Sequence, residues 1–142
     1  MTMDPWKLQA ILAAIFAGLT SVLAKSGLAG ISADTGLAVR TTVVFSLVLA
    51  NAFALGGAGE LGVISARQFG LLALSGVTTS LSWIFYYRAM KTGTVSYVAL
   101  IDKGSILITL VLAFLLLKEP FTARAAIGSA LILSGILVLT LK

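Results

Sequence analysis

The 142-residue sequence predicts an all-α membrane protein, and three observations carry that reading. Apolar residues make up 59% of the chain and charged residues only 11%, and the mean hydropathy of +1.10 lies far outside the soluble range. Five apolar runs, each of roughly 20 residues, are long enough to cross ~30 Å of hydrocarbon as helices. Gly, Pro and charged residues separate the runs, and the stretches left over are too short to fold as an aqueous domain.

The first span covers residues 6–24. Pro5 suits a first helical turn, Asp4 before it suits an N-cap, and Trp6 falls at interface depth. Little positive charge precedes this run, it is longer than the apolar core of a signal peptide, and four further runs follow, so it reads as a retained span. Ala14, Gly18, Ser21 and Lys25 share one face, a small-residue contact ending in a cation able to snorkel. That face is expected to pack rather than to bind.

The second span covers residues 36–55, with Arg40 near its start either as an interface anchor or as a charge lining a cavity. After it, Gly57-Ala58-Gly59-Glu60-Leu61-Gly62 matches a dinucleotide-binding glycine pattern in form, but it follows a membrane span instead of a strand and reads as a turn.

The third span covers residues 69–89. Ser75, Thr79, Ser82 and Tyr86 recur at i, i+4, i+7 and i+11 on one face, and Gly76, Ser80, Trp83 and Tyr87 form the adjacent stripe. Such a sector of hydroxyl and aromatic groups lines cavities for amphipathic or cationic ligands. Small and hydroxylated residues also gather wherever membrane helices pack. The cavity is the reading favoured here.

The fourth span, residues 95–117, carries Asp102 and Lys103 in an otherwise uncharged run. An ionised group at that depth costs about 2.5–3.5 kcal/mol on insertion scales unless it meets a partner or water. Asp102, Ser105 and Thr109 lie on one face at i, i+3 and i+7, whereas Lys103 is rotated by roughly 100°. Adjacent residues do not face each other on a helix, so the two charges need not neutralise one another within a protomer, and another span, a second chain or water is open to each as partner. Burial disfavours the charged form of either group, which suits proton loading and release; the competing reading is a structural ion pair. The fifth span, residues 123–141, places Ala125, Gly128, Ile132 and Gly135 on one face for helix packing or dimer contact.

The chain has neither cysteine nor histidine, which removes thiol and imidazole chemistry, and no enzyme, metal or cofactor site can be assembled. The net charge of +5 comes from singly spaced Lys and Arg without a basic run, so nucleic acid is not an expected partner. Lys7, Arg67, Lys118 and Arg124 map to one side of the membrane, and Lys25, Arg40, Arg88, Lys91 and Lys142 to the other. This near tie gives positive-inside insertion little to choose by, and an odd number of spans would let two copies insert in opposite senses as the halves of an inverted repeat. An antiparallel homodimer is expected, with a chance tie in a fixed-topology chain as the alternative.

Lys25-Ser26-Gly27-Leu28, Arg40-Thr41, Tyr87-Arg88-Ala89-Met90, Ile101-Asp102-Lys103 and Leu117-Lys118-Glu119, in this order and spacing, resemble the drug/metabolite transporter superfamily. The resemblance is to its EamA-like, five-helix half-size members and covers nearly the whole chain. It implies ten helices from two half-size chains around a cavity that opens to alternate sides of the cell membrane. Longer members carry a proline in span four where this chain has Ile106, so their kink does not carry over, and Gly104 is the nearest source of flexibility. Span one also lacks the membrane glutamate of the small multidrug resistance proteins.

With the resemblance, the expected function is secondary transport, as an exporter, of a small metabolite or drug-like solute by alternating access, with proton or ion coupling left open. The expected cavity lies at the dimer midline, lined by spans one, three and four. Asp102 is the candidate coupling or substrate carboxylate, with Lys103, Ser105, Thr109, Ser75, Thr79, Ser82, Trp83, Tyr86 and Arg40 as further candidates. The alternatives are a dual-topology ion channel, a lipid-linked sugar flippase subunit and a non-transporting membrane subunit.

Overall fold

The computed structural model describes residues 4–140, which are helical with no strand among them. Two compact units divide the chain after Thr92. The first holds α1 (Pro5–Gly27), α2 (Ala33–Ala54), a short 3-10 helix (Gly57–Val63) and α3 (Ala66–Thr92). The second holds α4 (Val95–Asp102), α5 (Ser105–Leu117) and α6 (Ala123–Thr140).

By length and hydropathy α1, α2, α3 and the run Val95–Leu117 are candidate membrane spans, and α6 adds a shorter apolar helix. Their outer faces expose Ile11, Ile15, Leu19, Phe45, Leu47, Leu72, Phe85, Ile108 and Leu115. In water so much apolar surface would drive association; in a bilayer it is the lipid- or partner-facing coat.

In the first unit, α1 starts as expected with Pro5 in its first turn, but the Asp4 side chain makes no capping bond and instead pairs with Lys7 at 2.6 Å. The second helix begins at Ala33, earlier than expected, because Ser32 caps it by accepting from the Thr35 N–H at 3.0 Å. Arg40 therefore lies about two turns inside α2 instead of at its mouth. The Gly57–Gly62 run forms a 3-10 helix entered through Gly56 at φ 79°, a conformation glycine adopts without strain.

Packing in this unit concentrates at one end, where the C-termini of α1 and α3 meet the N-terminal part of α2. Leu28, Ala33, Leu37, Tyr87 and Met90 are buried there, Met90 completely. Gly36 is required at this point, since a Cβ on it would run into the Leu28 side chain.

In the second unit, the expected single helix over 95–117 is interrupted at Lys103 and Gly104. The amides of Lys103, Gly104, Ile106 and Leu107 donate to the carbonyls three residues earlier, at 2.9–3.1 Å, so the chain is wound more tightly from Leu100 to Leu107. Such 3-10 stretches inside a helix mark hinges or strained sequence. A Cβ at Gly104 would sit 3.0 Å from the Ile101 carbonyl oxygen and 3.6 Å from Ile136 on α6, so the bare glycine suits this close approach. Downstream, Lys118 ends α5 in the left-handed region at φ 57°, and the Glu119 N–H returns to the Ala113 carbonyl. Phe114 and Phe121 then meet edge-to-face at 6.0 Å across the turn.

Candidate functional site

Two arrangements hold the charged groups of the spans, one in each unit. In the first, Arg40 projects from α2 onto the α3 aromatics. Its guanidinium carbon lies 4.1 Å from the centroid of the Trp83 ring and 5.9 Å from that of Tyr87. An aromatic face attracts a cation through its quadrupole, most strongly where water is excluded. Tyr87 is almost fully buried, which holds one side of this cradle in place. The Nη1 atom of Arg40 is buried and has no hydrogen-bond partner among the described residues.

Beside Arg40 lies a cavity of about 330 Å³. Leu23, Ala24, Gly27, Leu28 and Ile31 line it from α1 and the turn after it, Gly36, Val39 and Arg40 from α2, and Tyr87 from α3, with Thr20 adding a hydroxyl. The Thr20 hydroxyl itself donates to the Phe16 carbonyl, so its oxygen lone pairs remain for a guest. On the other side of the α2–α3 contact a second hollow of about 360 Å³ is lined by Asp34, Leu37, Ala38, Thr41, Ser80, Trp83 and Ile84.

The expected hydroxyl face of α3 is not brought into the Arg40 cavity. Ser75, Thr79 and Ser82 are exposed on the outer surface of the first unit. Tyr86 turns to α1, where its hydroxyl and that of Ser21 lie 2.8 Å apart. The adjacent stripe supplies Trp83 and Tyr87 instead. The cavity thus uses α2, where Arg40 is already a candidate lining charge although the span itself is not expected in the lining. Sequence reasoning missed Thr20 and Gly36, and it noted Gly27 only within the Lys25-Ser26-Gly27-Leu28 motif.

At the closed end of this unit, Lys25 donates to the carbonyls of Met90 at 2.6 Å and Lys91 at 3.3 Å, while Lys91 donates to the Leu28 carbonyl at 2.8 Å. Each lysine thereby meets carbonyls that a helix C-terminus leaves unpaired, where the helix dipole favours a cation. Arg88 reaches Asp34 at 3.2 Å at the exposed edge of the same cluster. The expected packing face of α1 takes part only in its second half: Ser21 and Lys25 bind α3, while Gly18 has open space around it.

In the second unit, Asp102 and Lys103 flank the helix break. Lys103 Nζ lies 3.8 Å from Asp102 Oδ2, with side chains 54% and 39% exposed. The expectation that these neighbours point apart is corrected by the reach of the lysine stem, whose four carbons swing the ammonium back toward the carboxylate. The contact is long and half-open, so it leaves both groups able to engage another partner. Ser105 and Thr109 follow on α5, both exposed. No cluster of three or more acidic or other metal-ligating side chains occurs among the described residues.

The EamA-like transporter family matches residues 4–141. An uncharacterized transporter encoded in the region 3′ of cobO in Sinorhizobium sp. is 38% identical over 134 residues, covering 94% of this chain and 95% of that protein. No solved structure matches.

Proposed function

The chain belongs to the EamA-like transporter family and is a multi-pass protein of the plasma membrane, and we propose that it is a half-size exporter of small metabolites or drug-like solutes that works as an antiparallel homodimer. The observation that carries this reading is the break in the fourth span. It sets Asp102 and Lys103, a carboxylate and an ammonium 3.8 Å apart, at a tightened turn within the most apolar of the candidate spans. Interrupted membrane helices of this kind hold substrate and coupling-ion sites in transporters, because the loosened backbone and its ionisable groups tolerate two conformations. Asp102 is the coupling or substrate carboxylate, and Lys103 offsets its charge when the site is empty.

Two further observations support the dimer. The Lys and Arg residues divide nearly evenly between the two sides of the spans. The Sinorhizobium relative is covered over 95% of its length by this chain, so that protein has the size of a single repeat. Two such repeats in opposite orientation supply the inverted halves that alternating access needs.

Flux in proteoliposomes tests the mechanism. Asp102→Asn and Lys103→Met variants that insert normally are expected to lose saturable uptake or efflux at least tenfold; undiminished flux in both removes the site assignment. The cysteine-free sequence makes orientation directly readable. Single cysteines placed in the loops at residues 29 and 120 are each expected to label from both faces of intact cells. Strictly one-sided labelling would exclude the antiparallel dimer.

A further inference from the structure

We infer that the cavity beside Arg40 is an anion subsite, which recognises a carboxylate carried on a small apolar body. This deepens the transporter reading above by giving the solute a chemical class.

Three observations converge. First, the Arg40 guanidinium sits two turns inside a candidate membrane span and has no carboxylate within ion-pair distance among the described residues. The one acid on α2 after its cap, Asp34, is engaged by Arg88. Second, Nη1 of Arg40 is shut away from solvent without an acceptor among the described residues, while the guanidinium rests over the Trp83 ring at 4.1 Å with Tyr87 beyond it at 5.9 Å. A stacked guanidinium meets planar two-oxygen anions edge-on with paired hydrogen bonds, which is the geometry that favours carboxylate. Third, the adjoining cavity of about 330 Å³ is walled by Leu23, Leu28, Ile31 and Val39, so the rest of a guest meets hydrocarbon. That volume is near the lower end for small-molecule sites, which limits the guest to the size of a substituted acetate or benzoate.

A bare inorganic anion would satisfy the guanidinium and leave the apolar walls unused. A neutral amphiphile would fill the walls and leave the cation unmet. Only a guest with both parts suits both halves of the site.

The test uses the intact chain, purified in detergent, with Trp6→Phe introduced so that Trp83 alone reports on the Arg40 cradle. Phenylacetate is the probe, with phenylacetamide as its neutral counterpart and inorganic phosphate as the bare anion. Phenylacetate is expected to change Trp83 emission saturably, with a dissociation constant between about 10 µM and 1 mM. Phenylacetamide and phosphate are each expected to bind at least about tenfold more weakly. Arg40→Gln is expected to weaken phenylacetate by about tenfold or more, with Arg40→Lys recovering only part because it lacks the planar fork.

Gly27→Leu supplies a second variant that keeps the cation. Gly27 lines the cavity and a Cβ there meets nothing within 4 Å, so a larger side chain has room to enter the cavity and is expected to weaken phenylacetate several-fold. Equal affinity for acid and amide overturns the inference. So does saturable phosphate binding without phenylacetate binding, or the absence of any saturable change, which would assign Arg40 to a protein carboxylate. The parent protein alone gives these three readings, so a misfolded variant does not decide them. Binding is read without flux, so its failure leaves the Asp102 and Lys103 test standing, and failure of that flux test leaves this one intact.

Discussion

Lys25 and Lys91 cap each other's helices: Lys25 Nζ donates to carbonyls at the C-terminal end of α3, at 2.6 Å to Met90, and Lys91 Nζ donates to the Leu28 carbonyl just past α1, at 2.8 Å. Two like charges are brought to one end of the unit because each is set against carbonyls at a helix terminus, where the dipole favours a cation.

Lys25→Met removes the donor from a carbonyl of Met90, a residue with no exposed surface. The orphaned acceptor is expected to lower stability by about 1–3 kcal/mol. Lys25→Arg should restore most of that loss, since Arg also carries N–H donors on a long stem. Thermal unfolding of the detergent-solubilised protein measures both. An unchanged midpoint for Lys25→Met would show that water serves the carbonyl equally well.

Asp34 and Arg88 make the opposite case. Their side chains are more than half exposed, and exposed pairs contribute about 0–1 kcal/mol. Asp34→Asn is expected to shift stability by less than about 1 kcal/mol, well below the effect of Lys25→Met. A larger loss would mean that Asp34 is shielded from water in the membrane.

Ser21 and Tyr86 share one hydroxyl pair at 2.8 Å between α1 and α3. Tyr86→Phe and Ser21→Ala are each expected to cost about 1 kcal/mol. The double variant should cost little more than either one, because both remove the same bond. Additive losses in the cycle would show that the two hydroxyls are stabilised separately.

Gly104 governs the break in the fourth span. Gly104→Ala puts a methyl 3.0 Å from the Ile101 carbonyl, so the tight turn must relax toward a regular helix, which alanine also favours by about 1 kcal/mol. Amide exchange across residues 103–107 is expected to slow, and transport to fall several-fold with insertion unchanged. Faster exchange at these amides would mean that the methyl disrupts the turn instead of straightening it.

The resemblance of Ile101-Asp102-Lys103 to its family anticipated a charged pair in span four, and the glycine after it anticipated looseness there. The backbone bonds show the form that looseness takes, a run of three-residue hydrogen bonds. By contrast, the hydroxyl periodicity of α3 marks a stripe that is exposed on this chain and takes no part in the Arg40 cavity. A helical period identifies which residues share a face, but the neighbours of that face come from elsewhere in the chain. Ser75, Thr79 and Ser82 are thus legible as a stripe, and what covers that stripe is decided outside the helix itself.

Hydropathy and run length by themselves determined that this chain is helical and crosses a membrane, because in hydrocarbon a backbone must satisfy its own polar groups and a helix does so locally. They also determined which residues bear charge in the spans. Only the tertiary structure decided how those charges are met. Lys25 and Lys91 are answered by the carbonyls at the ends of α3 and α1, Asp102 by the flexible stem of its neighbour, and Arg40 by two aromatic faces with a cavity at its side. Each of these depends on distances between atoms remote in sequence or on a side-chain rotation, and neither is written in the order of residues.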